Sequence, residues 1–422
     1  MKKILKTIFN DSLFKQSSLL FISGICVNVF NLVFWLYMVR RLSPQDYGVL
    51  NSVVSMLAFF TIPVSIIQPV VIRYVSKFMA HQKEAEVKSL LFYFTKVVGL
   101  FLICVLIILF IFAVPISSFL HVDVLYIFIV AASLACSSFS VITLGALHGL
   151  QKFNDIALNN IISGFIKLAS GIILVYFGMR AIGGFLGFVF SNLAIFVLSI
   201  FQMFAHIKKM TAKIGNAVLK LKEVYAYFLP VGLTTFCTFA LTNADIILVK
   251  HFFLPLEAGY YCVAQTVGRV VLFAPGMIGC VMFPKVVDLQ AKNGNTLVIL
   301  KKCLVIVAIL CGIATFFVFS APSLVLKVLA GEAYPVTISL VKYFALSMSF
   351  YALVQILMLY HLSLHQMRYV YVLTIGAILQ PVLIWFFHSS LEQVLCILLG
   401  NSIVLFYLGL RFSQKQIAHE KS

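Results

Sequence analysis

The chain has 422 residues, of which 62% are hydrophobic and 10% charged, with a mean hydropathy of +1.09 and a net charge of +18. A soluble domain carries about 25% charged residues, and no water-soluble fold hides this much apolar surface, so lipid is the solvent for most of the chain. The nine cysteines lie in or beside apolar runs without a Cys-x-x-Cys pair, and the nine histidines form no His-Glu-x-x-His cluster. That excludes a disulfide framework and gives no reason to expect a metal, a cofactor or catalytic residues.

Residues 1–15 are basic, and the apolar run behind them lacks a small-residue cleavage site, so it is expected to be the first span and not a removable signal. Spans of this kind are expected at about 17–38, 48–71, 97–117, 124–147, 157–178 and 182–204. A second set is expected at about 225–249, 258–283, 303–320, 336–360, 369–388 and 392–410. With the N-terminus on the cytoplasmic side, 23 of the 31 Lys and Arg fall in cytoplasmic segments. Five fall outside (Arg40, Arg41, Arg180, Lys250, Lys327) and three inside spans (Lys167, Arg269, Lys342). This is a strong positive-inside signal with both termini cytoplasmic. It places the basic residues against anionic lipid and excludes a nucleic-acid partner.

Between the two sets, Ile207, Met210, Ile214, Val218 and Leu221 recur at helical spacing among lysines. The expected organisation is an N-lobe over 1–204 with helices 1–6, an amphipathic cytoplasmic linker over 205–224, and a C-lobe over 225–422 with helices 7–12. The lobes carry a repeated signal. Span 1 ends in Arg40-Arg41-Leu42-Ser43-Pro44-Gln45-Asp46-Tyr47-Gly48, and span 7 in Lys250-His251 followed by Pro255-Leu256-Glu257-Ala258-Gly259. Both read basic, then Pro-x-acid-x-Gly, then a new apolar run. Downstream, Pro69 and Arg73 match Pro284 and Lys285. Six spans per half is even, so a duplication of this kind gives lobes related by a pseudo-two-fold axis along the membrane normal.

Residues 40–78, from Arg40 through Gly48 to Arg73-Tyr74-Val75-Ser76-Lys77-Phe78, resemble the opening signature of the Wzx-type polysaccharide-biosynthesis flippases. These belong to the multidrug/oligosaccharidyl-lipid/polysaccharide exporter superfamily. Asn243-Ala244-Asp245, the stretch from Pro255 to Tyr261, Phe283-Pro284 and Leu329-Ala330-Gly331-Glu332-Ala333-Tyr334 resemble its later motifs. The resemblance implies an all-α membrane protein, a MATE-like V-shaped bundle of about twelve transmembrane helices in two six-helix lobes. It implies a cargo of undecaprenyl-diphosphate-linked oligosaccharide repeat units, moved from the inner to the outer leaflet of a bacterial cytoplasmic membrane by alternating access. It also implies membrane lipids and other polysaccharide-assembly proteins as partners.

A flippase makes no covalent bond; it has to shelter a polar, anionic head group from hydrocarbon. Span 8 carries Tyr261, Gln265 and Arg269 on one face. A mid-span Arg has to face the protein interior, where its fork suits a diphosphate or a structural pair with Asp245. Span 7 carries Thr235, Thr238, Thr242 and Asp245; Asp245 is a candidate ion-coupling site, for a proton or sodium gradient, or else a salt-bridge partner. Span 5 carries Asn160, Ser163, Lys167 and Ser170, and Lys167 adds a second cation for substrate. Span 1 places Gly24, Asn28, Asn31 and Trp35 on one stripe. Asn28 and Asn31 suit sugar hydroxyls or interhelical hydrogen bonds, and Trp35 suits an interfacial belt. Pro275-Gly276 is the candidate bend of span 8.

The alternatives are a cation extruder of the same fold, a major-facilitator carrier and a membrane glycan polymerase. Three basic residues against one acidic inside the spans disfavour the first. The Gly-rich Asp-Arg motif missing from 72–96 disfavours the second, and the short outer loop 321–335 the third.

Overall fold

The computed structural model describes residues 12–208, 228–292, 294–364 and 367–420. Most of the linker expected over 205–224 therefore lies outside the described residues. Sixteen α-helices and no strand occur among the described residues. In order they are α1 (Ser12–Arg41), α2 (Pro44–Ser65), α3 (Ile67–Ala80), α4 (Glu84–Ile111), α5 (Ala113–Leu120), α6 (Val124–Gly149), α7 (Phe153–Tyr176) and α8 (Arg180–Ile207). Then follow α9 (Phe228–Phe252), α10 (Pro255–Arg269), α11 (Phe273–Ala291), α12 (Leu297–Ser320), α13 (Pro322–Ala330), α14 (Pro335–Ser363), α15 (Met367–Phe386) and α16 (Leu391–Glu420). Eleven helical stretches among the described residues are long and apolar enough to cross a bilayer. The chain is a multi-pass membrane protein.

The eighth span is broken in its middle. α10 ends at Arg269, a 3₁₀ turn covers Val270–Leu272, and α11 continues from Phe273. The expected bend at Pro275-Gly276 thus falls one turn earlier. A proline has no N–H for the carbonyl four residues before it, so a proline in a helix disturbs the turn on its N-terminal side. The second span is interrupted as well, at Ile66 between α2 and α3, with Pro63 inside α2.

The chain divides into two compact units. The first holds Met1–Leu42 and Met56–Leu229, the second Ser43–Ser55 and Pro230–Ser422. The first half of α2, expected with the N-lobe, therefore clusters with the second unit. In the first unit α7 packs on α1 and α8, and α6 packs on α3, α4 and α8. In the second unit α14 is the central helix, contacting α10, α11, α12 and α16.

The repeat motif explains how Ser43–Ser55 is held. Ser43 caps α2, its Oγ accepting from the Asp46 N–H at 3.1 Å, while at α10 the Glu257 carboxylate accepts from the Leu254 N–H at 3.2 Å. Pro44 and Pro255 each open a helix where no N–H partner is needed. The two matched glycines then meet. A Cβ on Gly48 would lie 3.2 Å from Gly259 Cα, and one on Gly259 would lie 2.1 Å from the Pro44 carbonyl oxygen. Only glycine lets the two backbones approach this closely. Farther along, Tyr47 Oη and Thr266 Oγ1 share a hydrogen bond of 2.6 Å.

Candidate functional site

Two groups of buried polar side chains stand out, one in each unit. In the second unit, Tyr261, Gln265 and Arg269 follow at four-residue intervals along α10 and face α9. Asp245 of α9 is fully buried. Its Oδ2 accepts from Tyr261 Oη at 2.7 Å and from Gln265 Nε2 at 2.9 Å. Its Oδ1 and the Gln265 Oε1 have no hydrogen-bond partner. Arg269 donates to the Thr242 carbonyl oxygen and, at 3.3 Å, to Asn243 Oδ1; its Nε has no partner. Asn243 is oriented by its own Nδ2, which donates to Thr242 Oγ1 at 2.8 Å. The hydrogen bonds of Asp245 therefore come from neutral donors, and the guanidinium is held by neutral oxygens. The structural Arg269–Asp245 pair left open by the sequence is not formed as a direct hydrogen bond. α10 is seated firmly enough to keep these positions: Tyr261 lies edge-on to Phe344 of α14 at 4.8 Å, and a Cβ on Gly268 would meet Phe344 Cβ at 2.5 Å.

In the first unit, Lys167 of α7 is 9% exposed. Its ammonium donates to Asn31 Oδ1 of α1 and lies 5.3 Å from the ring centre of Phe34 and 5.0 Å from that of Phe188 in α8. Aromatic faces attract a cation through their quadrupole, most strongly where water is excluded. Trp35 stacks edge-on against Phe34 at 5.4 Å and lies 6.0 Å from Phe188. Gly187 allows α8 to close on this group, since a Cβ there would sit 2.9 Å from the Lys167 carbonyl oxygen. Asn28, one turn before Asn31, is exposed.

The sequence-derived residues thus fall into two clusters, Asp245–Tyr261–Gln265–Arg269 and Asn31–Lys167, with Asn28 outside both. Sequence reasoning missed Asn243 and the Thr242 carbonyl, which hold Arg269, and Phe34 and Phe188, which flank Lys167. Asn243 was visible as a polar residue beside Asp245. Phe34 and Phe188 carried no signal, being two among 41 phenylalanines. No group of three or more His, Cys, Asp or Glu able to hold a metal occurs among the described residues.

The family model described as polysaccharide biosynthesis protein matches residues 37–339, which include both clusters apart from Asn31, Phe34 and Trp35. The chain belongs to the polysaccharide biosynthesis protein family. No curated protein matches this member of the family. Among solved structures it is similar to an inward-facing multidrug-resistance MATE family transporter of the MOP superfamily. The TM-score is 0.75 at 10% identity, covering 94% of this chain and 95% of that one. It is similar to the lipid II flippase MurJ in an inward closed conformation, with a TM-score of 0.67 at 14% identity, over 94% and 87% of the two chains. A Vibrio cholerae MATE transporter gives a TM-score of 0.64 at 10% identity over 96% of each chain. At these identities the likeness establishes a MATE-like fold for this polysaccharide biosynthesis protein.

Proposed function

We propose that this family member is a flippase that carries undecaprenyl-diphosphate-linked oligosaccharide repeat units from the inner to the outer leaflet of a bacterial cytoplasmic membrane by alternating access. The observation that carries the reading is the half-buried guanidinium of Arg269, hydrogen-bonded to neutral oxygens only. An Arg in mid-span is costly and has to be matched by something. No carboxylate hydrogen-bonds the fork, although Asp245 lies close enough to act on its charge, and a planar fork matches phosphate oxygens in two parallel hydrogen bonds. Lys167, held by an amide and two rings, is the second cation in this reading. Asn28 and Asn31 offer amides to sugar hydroxyls.

Tyr261 and Gln265 contribute differently from the substrate contacts first expected of them. Both already donate to Asp245, so they hold the coupling residue and reach substrate only if that bonding changes. Asp245, with one open carboxylate oxygen beside the open Gln265 carbonyl, is the coupling group for a proton or sodium gradient in this reading. The MurJ likeness supports a lipid-linked cargo, and the family supports polysaccharide assembly.

Complementation tests the proposal. Deleting the gene should leave lipid-linked repeat units on the inner leaflet and remove the surface polysaccharide; the wild-type gene should restore it. Arg269→Ala should lose at least tenfold in surface polysaccharide at equal membrane abundance, and Arg269→Lys, a point charge without the fork, should restore only part. Asp245→Asn preserves the acceptor for Tyr261 and Gln265, so it should keep the fold and lose the response to a collapsed gradient. Normal surface polysaccharide in the deletion strain would defeat the flippase reading.

A further inference from the structure

Asp155, Asn159, Ser163 and Lys167 follow one another at four-residue intervals along α7. They form a single slowly winding stripe about 18 Å long, more than half of the hydrocarbon thickness. The stripe starts beside Lys152 and Lys208, on the face that the charge distribution assigns to the cytoplasm. A matching pair stands on α8. His206 Nε2 and Asp155 Oδ2 are 2.8 Å apart and partly exposed, so water reaches them. One turn deeper, fully buried Asn159 donates from Nδ2 to Gln202 Oε1 at 2.7 Å. Asn159 Oδ1 has no partner. Ser163, 7% exposed, donates back to the Asn160 carbonyl at 3.1 Å, leaving its oxygen open as an acceptor. Lys167 ends the stripe.

A helix pair held only by hydrogen bonds needs neither a buried open acceptor nor a buried ammonium above it. Buried amide oxygens are nearly always satisfied, often by an ordered water. Around Lys167, α1 presents Asn31 and Phe34, and α8 presents Phe188. The contacts that the structure gives the Lys167 ammonium are an amide oxygen and two rings, none of them an anion. Asp155 and His206 are the titratable pair on the stripe.

We propose that Lys167 is a proton-exchanging site served from the Asp155–His206 end through the Asn159–Ser163 stripe. One Nζ–H bond breaks and the nitrogen keeps the electron pair. The proton passes to water at the open Ser163 oxygen, from there through water to the one held at Asn159 Oδ1, and then to the His206 imidazole or to bulk water. The use of the exchange rests on the flippase reading: charged Lys167 takes the anionic cargo, and neutral Lys167 lets it go.

The exchange itself can be measured without transport. Trp35 lies against both rings that flank Lys167, and the only other tryptophan is Trp385. In the full chain carrying Trp385→Phe, in nanodiscs, Trp35 emission should titrate with pH. The titration should vanish in Lys167→Met, and also in Lys167→Arg, which keeps the charge and holds no exchangeable state in the working range. In proteoliposomes, an acid or base jump on the Asp155 face should reach Trp35 at least tenfold more slowly in Asn159→Leu than in the parent. Asn159→Ser, which keeps a polar atom, should stay fast. A slow response in Asn159→Ser at an unchanged thermal melt would count against the stripe. A titration that survives Lys167→Met, or an Asn159→Leu response as fast as the parent, would overturn the proposal. Failure of complementation would defeat only the flippase reading and leave the Trp35 titration as it is.

Discussion

Lys250 stands in the last turn of α9, 1% exposed, and its Nζ has no hydrogen-bond partner. On the sequence it belonged to an outer turn and to water. The fold buries it because Ser43–Ser55 packs into the same unit, close enough for Asp46 to act on it. A buried ammonium costs far more than a methyl group, and the helix C-terminus returns only about 0.3–1 kcal/mol. Lys250→Met should therefore melt at the same temperature as the parent or higher, read by thermal unfolding in detergent. A fall of several degrees would mean that Lys250 is paired. The same contrast marks what single residues revealed in advance. Arg269, Asp245 and Lys167 were legible because a charge inside an apolar run has to face protein. Their partners were not, because a carbonyl, an amide or a phenyl ring looks the same in sequence whether it holds a charge or merely fills space.

At the scale of the element, Pro-x-acid-x-Gly could be read as the start of a helix from its capping chemistry. It could not be read as a crossing point, because nothing in either copy names its contact as the other copy. The crossing makes a sharp prediction. A methyl on Gly259 has 2.1 Å to the Pro44 carbonyl oxygen, backbone that cannot swing aside. Gly259→Ala should therefore cost about 1–3 kcal/mol. Gly24, with open space within 4 Å of a built Cβ, is the control, and Gly24→Ala should leave the thermal melt unchanged. Equal melts for the two variants would show that α2 and α10 do not cross at their glycines. The break after Arg269 belongs to the same scale: the proline was visible, but its effect falls on the preceding turn, so the 3₁₀ segment begins where the guanidinium is anchored.

For the whole molecule, hydropathy fixed nearly every span, because in lipid each backbone polar group must be bonded within its own helix. The unit boundaries were less legible, since tertiary packing and not composition assigns Ser43–Ser55 to the second unit. Orientation rests on charge alone. Basic residues cross the membrane reluctantly during insertion, and 23 against 5 is far beyond what a few compensating turns reverse. The turns at His81–Lys83, Gln151–Lys152 and Lys292–Asn295 should lie on one side. Those at Leu42–Ser43, His121–Asp123, Phe253–Leu254 and Gly331–Tyr334 should lie on the other. Phosphatase fusions should be active only at the second group, and a cytoplasm-folding fluorescent protein should be bright only at the first. The decisive pair is Leu42–Ser43 and Phe253–Leu254. Duplicated halves of six spans put both turns outside, whereas an inverted repeat would put them on opposite faces. Opposite signals at these two turns would remove the parallel duplication, whatever the cargo.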